Sequence, residues 1–443
     1  EHYVRGGLGE RRLFRAILKN MAKDDVDVVK HLAPLVSEYG RYDDLWCLFG
    51  TDVDGVILDI IKKQLTDDIA NMADNKPVSL LAKWLPSVNA SSTKTKMDAR
   101  YIWKNLGMTE REYRKTLSSL RSYIDIVESK MSAKKWGDIK YETVPSRANL
   151  IYNGAFLRND EERRREYLSK LEKGETKINA GTLFPHDIVH KYSSTTGWYG
   201  GVGKYDATLE SLWKALPDTV NECGNTIVVA DGSGSMCCNV GGNSRVTALE
   251  VANALAIYFA EHSSGDFKDK YITFSSRPQL VDFSQCDSLR DKLRVAYSHS
   301  ECSNTNIEKV FDLILTTAVN GHMKQEDMPK NVLIISDMEF DSCATCGGNG
   351  YGLNRPNAKL FKVIKKRFED AGYQMPRLVF WNVNSRTGTI PVKENDLGVA
   401  LVSGFSTNVC KMVMSGKTDP YECLVETLMS DRYDAVEVAL KNS

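Results

Sequence analysis

Asp231-Gly-Ser-Gly-Ser235 directly follows an apolar run, Thr226–Ala230. A tight loop at the carboxyl end of a strand would gather one carboxylate, Asp231, and two hydroxyls, Ser233 and Ser235. All three are hard oxygen donors. Mg²⁺ takes octahedral oxygen ligands and keeps several waters, so hydroxyls with water-bridged carboxylates suit it. Gly232 and Gly234 permit the backbone angles such a loop needs. The competing reading is a flexible Gly/Ser turn that binds nothing. Two distant residues bear on the choice. Thr305 lies in Ser303-Asn-Thr-Asn306, just ahead of a helical pattern, and Asp337 follows the apolar run Val332–Ser336. In a doubly wound sheet both positions can face the crevice beyond the strand ends. Glu339 and Asp341 come next and are read as loop residues rather than ligands.

That placement requires a sheet, and the second half of the chain has the pattern for one. Apolar strand candidates are 226–230, 271–274, 332–336, 378–381 and 399–402. Helix candidates at 245–262, 306–319, 357–371 and 406–414 alternate with them. Continuous apolar strands separated by helices predict a parallel sheet covered on both faces, a doubly wound, Rossmann-like α/β domain. Before residue 220 helical spacing dominates, with predicted helices at 9–21, 26–39, 44–49, 53–64, 66–73, 79–84, 94–106, 109–130, 133–141, 145–158 and 160–173. Thr109 followed by Glu112 fits a capping box. Short amphipathic helices in series suggest an α-helical, repeat-like (HEAT-like) domain, although no fixed period is visible. The expected division is 1–218 helical and 219–443 α/β.

The 443 residues carry 58 Lys+Arg against 58 Asp+Glu, so a globally basic nucleic-acid binder is excluded. Charge is uneven, however: residues 94–177 hold 20 basic against 13 acidic side chains. Basic residues interleave with aromatics in two runs. One contains Arg100, Tyr101, Trp103, Lys104, Arg111, Tyr113, Arg114 and Lys115. The other contains Lys134, Lys135, Trp136, Lys140, Tyr141 and Arg147. Such residues could hold phosphates and stack bases; alternatively the aromatics are core and the charges a solvated helix surface. Arg163-Arg-Arg165, beside Glu161 and Glu162, reads as a salt-bridged helix surface.

The set Asp231, Ser233, Ser235, Thr305 and Asp337 resembles the metal-ion-dependent adhesion site (MIDAS) of von Willebrand factor A domains. The resemblance implies Mg²⁺, or another hard divalent cation such as Mn²⁺ or Ca²⁺, with a partner's Asp or Glu completing the shell. Longer phrases are similar to a domain-of-unknown-function family related to the TROVE/Ro autoantigen proteins. They include Gly6-Gly-Leu-Gly-Glu-Arg11, Glu38-Tyr-Gly-Arg-Tyr-Asp-Asp44, Lys83-Trp-Leu-Pro86, Ser132-Ala-Lys-Lys-Trp136, Ser336-Asp-Met-Glu-Phe-Asp341 and Gly398-Val-Ala-Leu-Val-Ser-Gly-Phe405. That resemblance implies helical repeats joined to a von Willebrand A domain. It further implies a ribonucleoprotein component that binds structured or misfolded small RNA. The alternative is a metal-dependent protein-interaction scaffold that binds no RNA. About 215 helical residues are few for a complete ring of repeats, so an arc, or a ring closed by the von Willebrand A domain, is the expectation.

Catalytic readings find little support. Asp187 stands where a H-E-x-x-H motif would need Glu, so Phe184-Pro-His-Asp-Ile-Val-His190 reads as a helix start with a first-turn acid. No G-x-S-x-G elbow or Walker A loop occurs, and Gly200–Gly203 reads as a linker. The expectation is a binding protein, not an enzyme. Cys237, Cys238, Cys343 and Cys346 could form a second, soft metal site or a disulfide, but four unrelated loop thiols are the plainer reading. Ten cysteines in this length fit reduced thiols and a cytoplasmic location. No apolar run reaches the about 18 residues a membrane helix needs. The chain opens at Glu1 rather than Met, which leaves room for an upstream segment.

Overall fold

A computed structural model describes residues 12–194, 201–220, 225–241, 244–301, 306–338, 358–384, 399–404 and 420–441. The chain gathers into two compact units. Among the described residues, one comprises 12–139 with 421–441; the other comprises those between Lys140 and Pro420. The helices between Lys140 and Lys214 thus belong with the sheet, not with the helices that precede them.

The main helices of the first unit are α1 (Arg12–Asp24), α2 (Val26–Leu32), α3 (Asp54–Ala73), α4 (Thr93–Asn105) and α5 (Glu110–Tyr123). One core of Leu18, Val29, Leu45, Ile57, Ile61, Leu81, Ile102, Tyr113 and Leu117 joins them. The helix expected over 26–39 is broken by a 3-10 turn at Ala33–Leu35, where Pro34 cannot donate a helical hydrogen bond. The helix expected over 109–130 stops at Tyr123, and Asp125 takes φ 63° before a short helix resumes at Val127. The helices expected over 53–64 and 66–73 are one. The stretch expected to be helical over 133–141 forms only 3-10 turns. The Gly40–Asp44 phrase is a clasp. Asp44 accepts from the Arg41 N–H at 2.9 Å and from Arg15 Nε at 2.6 Å. The Arg41 guanidinium grips Asp43 at 2.7 and 2.8 Å and lies 3.9 Å from the centre of the Trp84 ring.

The other unit adds α6 (Ser146–Asn159), α7 (Glu161–Glu172), α8 (Pro185–Tyr192), α9 (Ala207–Lys214), α10 (Ala248–His262), α11 (Leu289–Ser298), α12 (Ile307–Asn320) and α13 (Ala358–Asp370). Its main sheet has six strands, β1 (Thr226–Asp231), β2 (Lys270–Phe274), β3 (Leu280–Asp282), β4 (Asn331–Ser336), β5 (Arg377–Asn382) and β6 (Ala400–Ser403); apart from it, Gly201–Val202, within the stretch read as a linker, pairs antiparallel with Ser193–Ser194. The six lie in the order β3-β2-β1-β4-β5-β6, parallel except for β3. The five expected strands are present. β3 escaped notice because it has three residues, of which only Val281 is buried. β1 and β4 are buried along their full length. Val228 and Ala230 pack towards α10, and Ile227 and Val229 join the core with α12 and α13. α10 is apolar nearly all round because it lies between the sheet and α8. The helix expected at 406–414 lies outside the described residues.

Within this unit the triple arginine corrects the surface reading. Arg163 and Arg165 do form ion pairs, with Asp160 at 2.9 Å and Glu161 at 2.8 Å. Arg164 is fully buried. Its guanidinium donates to Asn149 Oδ1 at 3.1 Å and to Asn153 Oδ1 at 3.1 and 3.2 Å. The rings of Tyr141, Phe156 and Tyr167 surround it at 4.9–5.3 Å. Burial lowers its pKa, so cation–π contacts and amide oxygens are what offset the lost hydration.

α14 (Pro420–Leu428) and α15 (Asp434–Lys441) close the chain. Tyr433 stacks on Tyr39 at 5.4 Å, and the Tyr39 hydroxyl donates to the Arg432 carbonyl. No helix among the described residues is long and apolar enough to cross a membrane.

Candidate metal centre and basic helix face

β1 and β4 are parallel neighbours, with Ala230 beside Ile335. Asp231 ends one strand and Asp337 follows the other. The strand order reverses between these two, which is where open α/β sheets bind ligands. Both carboxylates are buried, at 1% and 0% exposure. Asp231 Oδ1 accepts from the Ser233 N–H at 2.9 Å, folding the loop back on itself. Asp231 Oδ2 accepts from the Ser336 hydroxyl at 2.6 Å. The hydroxyls of Ser233 and Ser235 stand 3.1 Å apart, both half-buried. Burial pushes the Asp231 carboxyl up to about 6, hydrogen bonds from Ser336 and Ser233 pull it back, and the nearby Asp337 charge pushes it up again. Gly232 is required here: a Cβ would come within 3.0 Å of Ser300 Cα and 3.3 Å of the Glu301 nitrogen.

Four expected ligands, Asp231, Ser233, Ser235 and Asp337, thus meet at one strand-end rim. Thr305 lies outside the described residues, as do Glu339, Asp341, Cys343 and Cys346. A hard cation fits this donor set, because it would neutralise two mutually repelling buried carboxylates beside two hydroxyls. Among the described residues no group of three or more His, Cys, Asp or Glu side chains is placed to hold a metal. Any cation would therefore rely on hydroxyls and water as much as on carboxylates. Ser336 was not among the expected residues. The available signal was its position: the last strand residue before Asp337, opposite the end of β1. Cys237 and Cys238 are both half-buried.

The basic candidates divide. Ser92 caps α4, accepting from the Thr95 N–H at 3.3 Å. The expected capping box opens α5, with Glu112 N–H to Thr109 Oγ1 at 3.2 Å and Thr109 N–H to Glu112 Oε2 at 2.7 Å. Ala99 and Ile102 turn α4 inward, and Tyr113, Leu117 and Leu120 turn α5 inward. That leaves Arg100, Lys104, Arg111, Arg114 and Lys115 exposed. Among the described residues none of the five makes a salt bridge. Across 93–123 there are eight basic against three acidic side chains. Arg121 is committed elsewhere: it donates to the carbonyls of Ala82 and Leu85 and to Ser87 Oγ at 2.7–2.8 Å.

The second run spans the two units. Lys134 and Lys135 are exposed in one unit, while Lys140 and Arg147 belong to the other. Arg147 is ion-paired to Asp187 at 2.8 Å. Most of the interleaved aromatics serve packing. Tyr113 and Tyr141 are buried, Trp103 packs on the helical core, and Trp136 is half-buried. Tyr101 is 37% exposed, its hydroxyl bonded to Asp54. α8 begins as expected, with Asp187 Oδ2 accepting from the Phe184 N–H at 3.0 Å. His186 is buried, and burial lowers its pKa. His190 Nδ1 contacts Glu250 at 3.0 Å.

Two family models match, both described as domains of unknown function: DUF2828 over residues 92–226 and DUF7788 over 225–438. Their junction falls at the start of β1. The chain is 29% identical over 401 residues to "Uncharacterized protein L728" of Acanthamoeba polyphaga mimivirus. The match covers 85% of this chain and 66% of that protein, so the chain spans about two thirds of that relative's length. Among solved structures it is similar to the Ro (RSR) protein of Deinococcus radiodurans, with a TM-score of 0.45 and 14% identity, covering 92% of this chain and 88% of that one.

Proposed function

We propose that the chain is a Ro-like RNA-binding protein, a binder rather than an enzyme. In this reading HEAT-like helices grip the RNA backbone, and a von Willebrand A-type unit carries a MIDAS-type cation site. The observation that carries it is the exposure of five candidate cations on α4 and α5, Arg100, Lys104, Arg111, Arg114 and Lys115, without salt-bridge partners among the described residues. Backbone phosphates are the natural counter-charge for such a face, and binding of this kind is sequence-tolerant and salt-dependent. Exposed aromatics are few there, so charge, not base stacking, dominates the contact. Fluorescence anisotropy with structured and single-stranded RNA at low salt tests the proposal. Failure to bind either would overturn it.

Mg²⁺, or Mn²⁺ or Ca²⁺, would be held by Ser233 and Ser235, with Asp231 and Asp337 behind them. The cation would supply a positive charge open to one further oxygen ligand. A second reading is favoured by the exposure pattern, since the hydroxyls are half-exposed while both carboxylates are buried. A partner protein's Asp or Glu could then complete the shell. Partner capture that is abolished by EDTA and by Asp231→Ala, in protein that binds no RNA, would favour this reading over the first.

A further inference from the structure

We infer that Ser336 is the positioning residue of the β1/β4 cation site, holding the Asp231 carboxylate and the backbone turn that carries Asp337 through one hydroxyl. The inference rests on the reading of that site as cation-binding. Ser336 is fully buried at the end of β4. A hydroxyl has one proton to donate and lone pairs to accept with, and both capacities are used. Its proton goes to Asp231 Oδ2 at 2.6 Å. Its oxygen accepts the Met338 N–H at 3.1 Å. The first bond fixes the rotation of the Asp231 carboxylate, whose other oxygen is already held by the Ser233 N–H.

The second bond fixes the turn that carries Asp337. Met338 has φ 62°, a left-handed conformation that a side chain with a Cβ rarely adopts. The Ser336 hydroxyl secures that conformation, and Met338 is itself anchored in the core at 2% exposure. Asp337 lies between these two fixed points. The β-ladder supports the arrangement from the other side, where the Val383 N–H donates to the Ser336 carbonyl at 3.0 Å. Removing the hydroxyl would free Asp231 to turn and the Asp337 turn to relax, while Ser233 and Ser235 stayed in place. The damage should therefore fall on cation affinity.

The test is Mn²⁺ titration of the full chain, followed by the electron paramagnetic resonance signal of free Mn²⁺. Ser336→Ala should raise the Kd about 10- to 100-fold, the range typical of groups that orient metal ligands. Thermal unfolding of the cation-free protein is the control. A purely structural role predicts a lower midpoint with unchanged Kd well below it. Ser336→Cys preserves volume with a poor donor and should weaken binding in the same way; it decides the matter if the alanine variant does not fold. Wild-type affinity in either folded variant overturns the role of Ser336 alone. Absence of Mn²⁺ binding by the wild-type chain overturns the cation site and this inference together.

Discussion

The sharpest consequence of the α4/α5 face is a change in salt dependence. Replacing Arg111, Arg114 and Lys115 by alanine removes three of the five candidate phosphate contacts while sparing Tyr113, Leu117 and Leu120, which hold α5 in place. Each phosphate neutralised on single-stranded nucleic acid contributes about 0.7 to the slope of log K against log salt. Five contacts give a slope near −3.5, and a rise from 50 to 200 mM salt should weaken the wild type about 100-fold. With two contacts left, the slope should fall to about −1.4 and the same rise should cost only about 7-fold. Alanine is a better helix former than the residues it replaces, so circular dichroism should be unchanged. Anisotropy titrations at four or five salt concentrations read the slope directly. A triple variant with the wild-type slope would show that α4 and α5 do not touch the RNA. A flat wild-type slope would show that phosphate contacts do not drive binding.

Three predictions concern stability. Arg164→Met keeps most of the volume but leaves Asn149 Oδ1 without its donor and dismantles the ring contacts; it should cost about 2–3 kcal/mol in urea unfolding. Unchanged stability would mean that the buried cation is replaceable packing. Gly40→Ala would place a Cβ 2.8 Å from Asp44 Oδ2 and 3.1 Å from the Val36 carbonyl, so a loss of about 1–3 kcal/mol is expected. A neutral result would show that the Arg15–Asp44 clasp can shift to make room. His186 has its pKa lowered by burial, so the unfolded chain takes up its proton first as pH falls. Its contribution is complete above the unfolded value of about 6.5 and declines as pH drops below it, by at most about 1.4 kcal/mol per pH unit. His186→Gln should flatten that part of the stability profile between pH 7.5 and 5.5, and an unaltered profile would contradict the assignment.

The sheet was legible because its strands are buried on both faces and bounded by helices. Val332–Ser336 can hardly be anything else. The carboxylates were legible for a related reason: a polar residue ending an apolar strand, as Asp231 and Asp337 do, stands at the rim by construction. Ser336 was not, because a serine closing a strand has no signal of its own until the neighbouring strand is known. The division between units was hidden too. The helices from Ser146 to Lys214 have the same apolar spacing as those before them. Only contact with α10, itself apolar all round, assigns them to the sheet. The second basic run straddles the same division, which charge counted along a chain does not reveal.

Arg164, unlike Ser336, has a signature in the sequence itself. Three consecutive arginines point about 100° apart on a helix, so they cannot share one environment unless the helix is exposed all round. Tyr167 and Leu168 are three and four residues further on and are buried, which puts Arg164 on the inward face with them. Asp160 and Glu161 lie one turn before Arg163 and Arg165 and pair outward with them. The neighbouring acids made the whole run look solvated, yet they account for only two of the three directions. The inward direction needs its own acceptors, and Asn149 and Asn153, one turn apart on α6, supply them. A buried cation whose fork is held by amide oxygens, the Thr208 hydroxyl and ring faces tolerates no substitution that keeps its charge but loses its planar fork. Arg164→Lys should therefore be as disruptive as Arg164→Met, the reverse of what a surface salt bridge would show.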